Sequence, residues 1–148
     1  MEPDETEIVE LELDEMWSFV YKKRNKRWIW LALSKATRQI VAFVIGDRSE
    51  KTCQKLWHNI PESYKQAICY SDFWEAYLNV IPSEQHQAVS KQTGLTNHIE
   101  RFNNTIRQRL SRFVRKTLSF SKSEQMHLIC LELFLHSYNL ERRDICLA

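Results

Sequence analysis

The chain has 148 residues, 43% hydrophobic and 27% charged, which supports one folded domain and excludes disordered and fibrous classes. No apolar run is long enough to span a bilayer, and the acidic N-terminus does not fit a secretory signal. A soluble, intracellular, cytoplasmic protein is therefore expected, with no membrane partner. The net charge of +2 is unevenly spread. Met1 to Tyr21 carries eight acids and no Lys or Arg, whereas Arg101 to Lys122 carries seven bases and no acid. That asymmetry fits either a polyanion-binding face or a solvated helix face.

In chain order, Val9–Val20 first alternates, Leu11 and Leu13 against Glu10, Glu12 and Asp14, and then turns apolar or aromatic. It predicts a first strand. A polar turn at Lys22–Lys26 leads to a second strand, Arg27–Leu33. A further turn at Ser34–Arg38 leads to a third, Gln39–Ile45. Short turns between adjacent strands predict an antiparallel meander. The nearly unbroken apolar character of the second and third strands predicts burial on both faces.

After Gly46 the period changes. Ser49–Ile60 reads as a helix capped by Ser49, with Cys53, Leu56 and Trp57 on one side. Gln66–Tyr70 is a short buried strand, Phe73–Val80 a short helix stopped by Pro82, and His86–Val89 a fifth strand. Ile99, Phe102, Ile106, Leu110 and Phe113 then recur at three- and four-residue steps, the stripe of a long amphipathic helix. Ser121–Glu124 has capping-box spacing. It opens a final helix on which Met126, Ile129, Cys130, Leu133, Phe134 and Ser137 face one way. The order predicts an α/β domain, a central mixed five-stranded sheet flanked by helices.

Cys53, Cys69, Cys130 and Cys146 lie far apart with no CxxC pair, against a zinc knuckle or redox motif. Cys69 and Cys130 read as small core residues. Trp17, Trp28, Trp30, Trp57 and Trp74 read as core, with Trp74 open as a base-stacking platform because it follows Asp72 so closely. His98 reads as a solvated helix-start residue, with contact to DNA or a metal-bound water as the alternative.

Three acids stand out by position. Asp14 lies within the first strand, just before the sequence turns apolar, and a buried carboxylate is costly unless paired or metal-bound. Asp72 falls where a buried strand gives way to a helix, the carboxyl end at which α/β sheets place ligands. Glu100 lies in the first turn of the long helix, with Asn104 and Arg107 on its face and opposite the apolar stripe. Each has a structural alternative. Asp14 could belong to an exposed acidic run with Glu10 and Glu12, Asp72 could cap the next helix, and Glu100 could complete a capping box with Asn97. Together they supply the hard oxygen ligands that a two-metal phosphoryl-transfer site needs, with no Ser, Cys or His nucleophile.

The stretches LELDEMWS (Leu11–Ser18), FVIGDR (Phe43–Arg48), YSDFW (Tyr70–Trp74), NHIERFN (Asn97–Asn103) and RKTLSFSKS (Arg115–Ser123) resemble the insertion-sequence-one transposase family, in the family's order. The resemblance runs from about Glu10 to about Asn139. It implies a ribonuclease-H-like fold and DDE chemistry, the metal-dependent cleavage and strand transfer of an insertion sequence. The acidic triad falls on Asp14, Asp72 and Glu100, which are expected to be both catalytic and metal-binding, with Mg²⁺ or Mn²⁺, two ions, as cofactor. Arg101, Arg107, Arg112, Arg115, Lys116 and Lys122 are the expected DNA-binding residues, with Arg109 the weakest of the basic set. Element ends and target DNA are the expected partners, with self-association, an upstream-frame DNA-recognition protein and nucleoid association. Family members carry a zinc-binding segment and helix-turn-helix before this region, so residues 1–148 are expected to form a single catalytic domain without that recognition region. A non-catalytic DNA-binding remnant, or a ribonuclease or junction resolvase, would share these features.

Overall fold

Strand β1 (Glu10–Phe19) is the spine of the sheet because both its edges are paired. β2 (Lys26–Ser34) runs antiparallel along one edge, and β4 (Ile68–Ser71) runs parallel along the other. β3 (Ile40–Gly46) closes the meander against β2, and β5 (His86–Ala88) lies parallel beyond β4. The sheet order is β3-β2-β1-β4-β5, the mixed five-stranded sheet expected from the alternation of elements. The computed structural model describes residues 9–19, 26–116 and 124–147. The first predicted turn, apart from Lys26, therefore lies outside the described residues, as do residues 121–123 of the predicted capping box.

Each face of the sheet carries its own core. Leu11 and Leu13 of β1 and Trp30 and Ala32 of β2 pack under α1 (Glu50–Asn59) and α2 (Glu75–Val80). Trp30 and Tyr77 meet edge to face there, ring centroids 5.5 Å apart. On the other face Met16, Ile29, Leu31 and Leu33 pack with Ile99, Phe102 and Ile106 of α3 (Asn97–Lys116) and Leu131 and Leu135 of α4 (Glu124–Leu147). The amphipathic stripe of α3 is thus buried as its spacing predicted through Ile106. The side chains of Leu110, Phe113 and Cys130 lie outside the described residues.

Four local expectations shift. β2 is buried on both faces, Ile29 to Leu33 being at most 1% exposed. β3, on the sheet edge, buries only Ile40 and Ala42 and is half-buried at its other positions. α2 starts at Glu75 rather than Phe73, which is exposed. Among the described side chains of α4 the buried positions are Leu131 and Leu135, with Phe134 and Tyr138 against them, while Leu133 is 58% exposed. The segment Leu128–Leu135 is apolar at nearly every position except Glu132, so its periodicity could not choose a face. Trp30 is core and Trp28, Trp57 and Trp74 are half-buried, but Trp17 is exposed.

α4 also closes the open edge of β3. Asn139 Oδ1 accepts from the Ile40 amide and Asn139 Nδ2 donates to the Ile40 carbonyl, both at 2.8 Å, imitating the next strand of a ladder. Asn139→Ala leaves both backbone groups without that partner. It is expected to lower unfolding stability by about 1–2 kcal/mol, read from denaturant melts. An unchanged midpoint would mean that water replaces the side chain at no cost.

Candidate active site

β1 and β4 run parallel with Glu12 level with Tyr70. Two residues further on, the same register brings Asp14 level with Asp72, at the carboxyl ends of two adjacent parallel strands where the chains part. Side-chain oxygens of Asp14, Glu15 and Asp72 lie within 4.8 Å of one another. α3 completes the wall. An open cleft of about 360 Å³ is lined by Asp14, Glu15 and Asp72 on the strand side and by Glu100, Asn103 and Arg107 on the helix side.

The alternation of β1 explains who faces whom. Leu11 and Leu13 enter one core; Glu12, Asp14 and Met16 point to the other face, where α3 lies. That face is covered, so these acids do not form an exposed run: Glu12 is 0% exposed. Glu12 Oε1 accepts the backbone N–H groups of His98 (3.0 Å) and Ile99 (3.3 Å), two of the orphan donors at the start of α3. The helix is capped by a strand 86 residues away in sequence. The Asn97–Glu100 capping box does not carry this cap. Glu100 instead takes the Thr96 hydroxyl at 3.4 Å, and its own amide bonds to the Thr96 carbonyl.

Asp14 is held at both oxygens. Oδ1 accepts the Glu15 amide and Oδ2 accepts Asn103 Nδ2, each at 2.9 Å. Burial, then the neighbouring charges of Glu15, Asp72 and Glu100, push its pKa up to about 7. Asp72 does not cap α2: its Oδ1 accepts the Trp74 amide at 2.9 Å, an Asx-type turn ahead of the helix. Glu15, on the opposite face of β1, is engaged by the Tyr77 hydroxyl at one oxygen and by Arg48 Nη2 at the other (3.1 Å). Burial of Glu15 pushes its carboxyl up, the Tyr77 and Arg48 contacts opposing that.

Of the predicted residues, Asp14, Asp72 and Glu100 share the cleft, as do Asn104 and Arg107. The tightest acidic group pairs the two aspartates with Glu15 rather than with Glu100. Arg101 and Arg107 are exposed on α3. The side chains of Arg112, Arg115 and Lys116, and all of Lys122, lie outside the described residues. His98 is half-buried, its pKa lowered by burial and by the charges of Arg38, Lys35 and Arg101. Cys53 and Cys69 are buried with thiols pushed up to about 12, which removes them as nucleophiles. Sequence reading missed Glu12, Glu15, Arg48 and Asn103. A signal for Glu12 existed: it shares its strand face with apolar Met16, which marks that face as covered.

The family model for IS1 transposase matches residues 7–140, nearly the whole chain. The chain belongs to the IS1 transposase family. Among this family member's relatives, it is 34% identical over 129 residues to the insertion element iso-IS1n protein InsB of Shigella dysenteriae, covering 86% of this chain and 94% of that protein. It is 36% identical over 120 residues to the insertion element IS1 protein InsB of Shigella flexneri, covering 81% and 88% respectively. Among solved structures it is similar to the HTLV-2 integrase catalytic core domain, in complex with magnesium in a trimeric form. The TM-score is 0.54 and the identity 13%, over 79% of this chain and 78% of that one. The fold of this IS1 transposase family member is ribonuclease-H-like, as DDE enzymes are, and among the described residues no helix is long and apolar enough to cross a membrane.

Proposed function

We propose that residues 1–148 act as one DDE catalytic domain that cleaves element-end DNA and joins the freed strand to target DNA, with Asp14, Asp72 and Glu100 as catalytic and metal-binding residues. The observation that carries this reading is the meeting of Asp14 and Asp72 at the ends of two adjacent parallel strands, on the fold of a transposase family.

The donor set suits a hard divalent cation. Every ligand is a carboxylate oxygen, and burial, with the neighbouring carboxylates adding to it, raises Asp14 to about 7. Magnesium, named in the complex of the similar integrase core, fits those donors, and manganese shares the preference. We assign two ions to Asp14, Asp72 and Glu100; when bound they supply Lewis acidity at the scissile phosphate and its attacking and leaving oxygens. The chain's own part is positioning. Asn103 and the Glu15 amide fix the Asp14 carboxylate, and the Glu12 cap fixes the first turn of α3, which carries Glu100. Arg101 and Arg107 of α3, with Arg112, Arg115, Lys116 and Lys122 later in the chain, are the phosphate-binding residues of this reading. Self-association on paired ends, an upstream-frame recognition protein and association with the nucleoid belong to the same reading.

The test incubates purified protein with labelled duplex carrying element ends, in Mg²⁺ or Mn²⁺, beside Asp72→Asn. Metal-dependent nicking or joining that disappears in the variant is expected. Equal activity in the variant would refute the assignment, and cleavage confined to an RNA–DNA hybrid would mark a ribonuclease.

A further inference from the structure

Arg48, in the turn between β3 and α1, lines the cleft from the side opposite α3. Its guanidinium is pre-set by three groups. Nε and Nη2 donate to Glu15 Oε1 at 3.3 and 3.1 Å, and the guanidinium carbon lies 4.9 Å from the Trp28 ring centre and 4.3 Å from that of Trp74. The side chain nevertheless stays 40% exposed. Two of its five N–H groups serve Glu15, and the remaining three are available to a ligand.

We propose that Arg48 grips a backbone phosphate of the DNA strand that enters the cleft, on the side facing away from α3. The inference rests on the reading of the cleft as a DNA-cleaving site. Its lining sets four carboxylates (Asp14, Glu15, Asp72, Glu100) against three cations (Arg48, Lys91, Arg107), so a polyanion entering it needs positive charge next to the acids. Lys91 and Arg107 are exposed, and among the described residues neither is held in this way. Arg48 is ordered before DNA arrives, and an ordered planar fork loses less freedom per phosphate contact than a free lysine does. The Glu15–Tyr77 bond and the two indoles then act as its mount, and Trp74 serves the site as a platform for an arginine, not for a base.

A purely structural Arg48 would do no more than neutralise buried Glu15. The double variant Glu15→Gln/Arg48→Gln separates the two roles, because it removes the need for neutralisation as well as the cation. Duplex binding is measured by fluorescence anisotropy across a salt series in metal-free buffer, with thermal melts alongside. Arg48→Gln is expected to weaken binding by about tenfold and to flatten the slope of log K against log salt by about 0.9. Glu15→Gln should keep the wild-type slope, and the double variant should bind as weakly as Arg48→Gln. Wild-type slope in Arg48→Gln, or wild-type binding restored in the double variant, overturns the proposal. If Arg48→Gln does not fold, Arg48→Lys carries the test: it keeps the charge and loses the fork, so affinity should fall several-fold, and wild-type affinity would overturn the proposal. Asp72→Asn in the cleavage assay keeps the two readings apart. Its failure to abolish cleavage sinks the DDE assignment and leaves the Arg48 salt slope as a separate result.

Discussion

Asp14→Asn is expected to abolish DNA cleavage and at the same time to stabilise the metal-free protein. Asparagine keeps an acceptor for the Glu15 amide, and Asn103, whose Oδ1 is buried without a hydrogen-bond partner among the described residues, can turn its amide to accept from the new Nδ2. What disappears is a buried charge crowded by Glu15, Asp72 and Glu100. The folded-state pKa of about 7 lies above the ordinary carboxyl value of 3.8, so Asp14 works against folding at neutral pH. Below about pH 4 the carboxyl is protonated in both states and costs nothing. Between there and about pH 7 the unfolded chain ionises first and stability drains away; above that the full cost stands. At about 1.4 kcal/mol per unit the cost is at most about 4 kcal/mol. The raised carboxyls of Glu12 and Glu15 act in the same direction, and Arg48 opposes them at Glu15. Thermal melts of the metal-free protein should therefore show a higher midpoint near pH 5.5 than near pH 8. Asp14→Asn should reduce that difference, and added Mg²⁺ should raise the wild-type midpoint more at the higher pH. A midpoint that climbs with pH would contradict the assignment of Asp14 to a crowded, uncompensated site.

The second large effect belongs to Glu12, which touches no substrate. Glu12→Ala removes the acceptor of two helix N–H groups and leaves a void under α3, so a loss of about 2–4 kcal/mol is expected. Activity should fall further than stability explains, because the first turn of α3 carries Glu100 and positions Asn103 against Asp14. Glu12→Gln is the informative control. Its amide oxygen can still accept both N–H groups, and the carboxylate oxygen it replaces, Oε2, has no partner among the described residues. A near-native melt with most activity retained is expected. If Glu12→Ala were as stable and active as the parent, the cap would not be what sets the approach of α3 to β1.

Much of the fold was legible because it rests on local periodicity. The meander, the change of period after Gly46 and the apolar stripe of α3 follow from which residue types recur at two-residue or three-to-four-residue steps. Position along the chain also picked out Asp14, Asp72 and Glu100, since an acid within a strand, one at a strand end and one in a helix's first turn are visible without coordinates. Where composition is uniformly apolar the pattern has no phase, and Leu133 and Ser137 of α4, expected on the buried side, are exposed for that reason.

The sequence by itself determined the order and type of the elements, the family and three acids that line one cleft. Only the tertiary structure decided what each acid does there. Glu12 and Asp14 share a strand face, yet one ends as a helix cap and the other in a carboxylate cluster, because α3 starts over Glu12 and passes Asp14 with Asn103. Glu15, next in sequence, is taken by Tyr77 and Arg48 from elements on the opposite face. A carboxylate's role follows from the partner brought to it and the water removed from it. Both depend on contacts between residues distant in sequence, which no local pattern records.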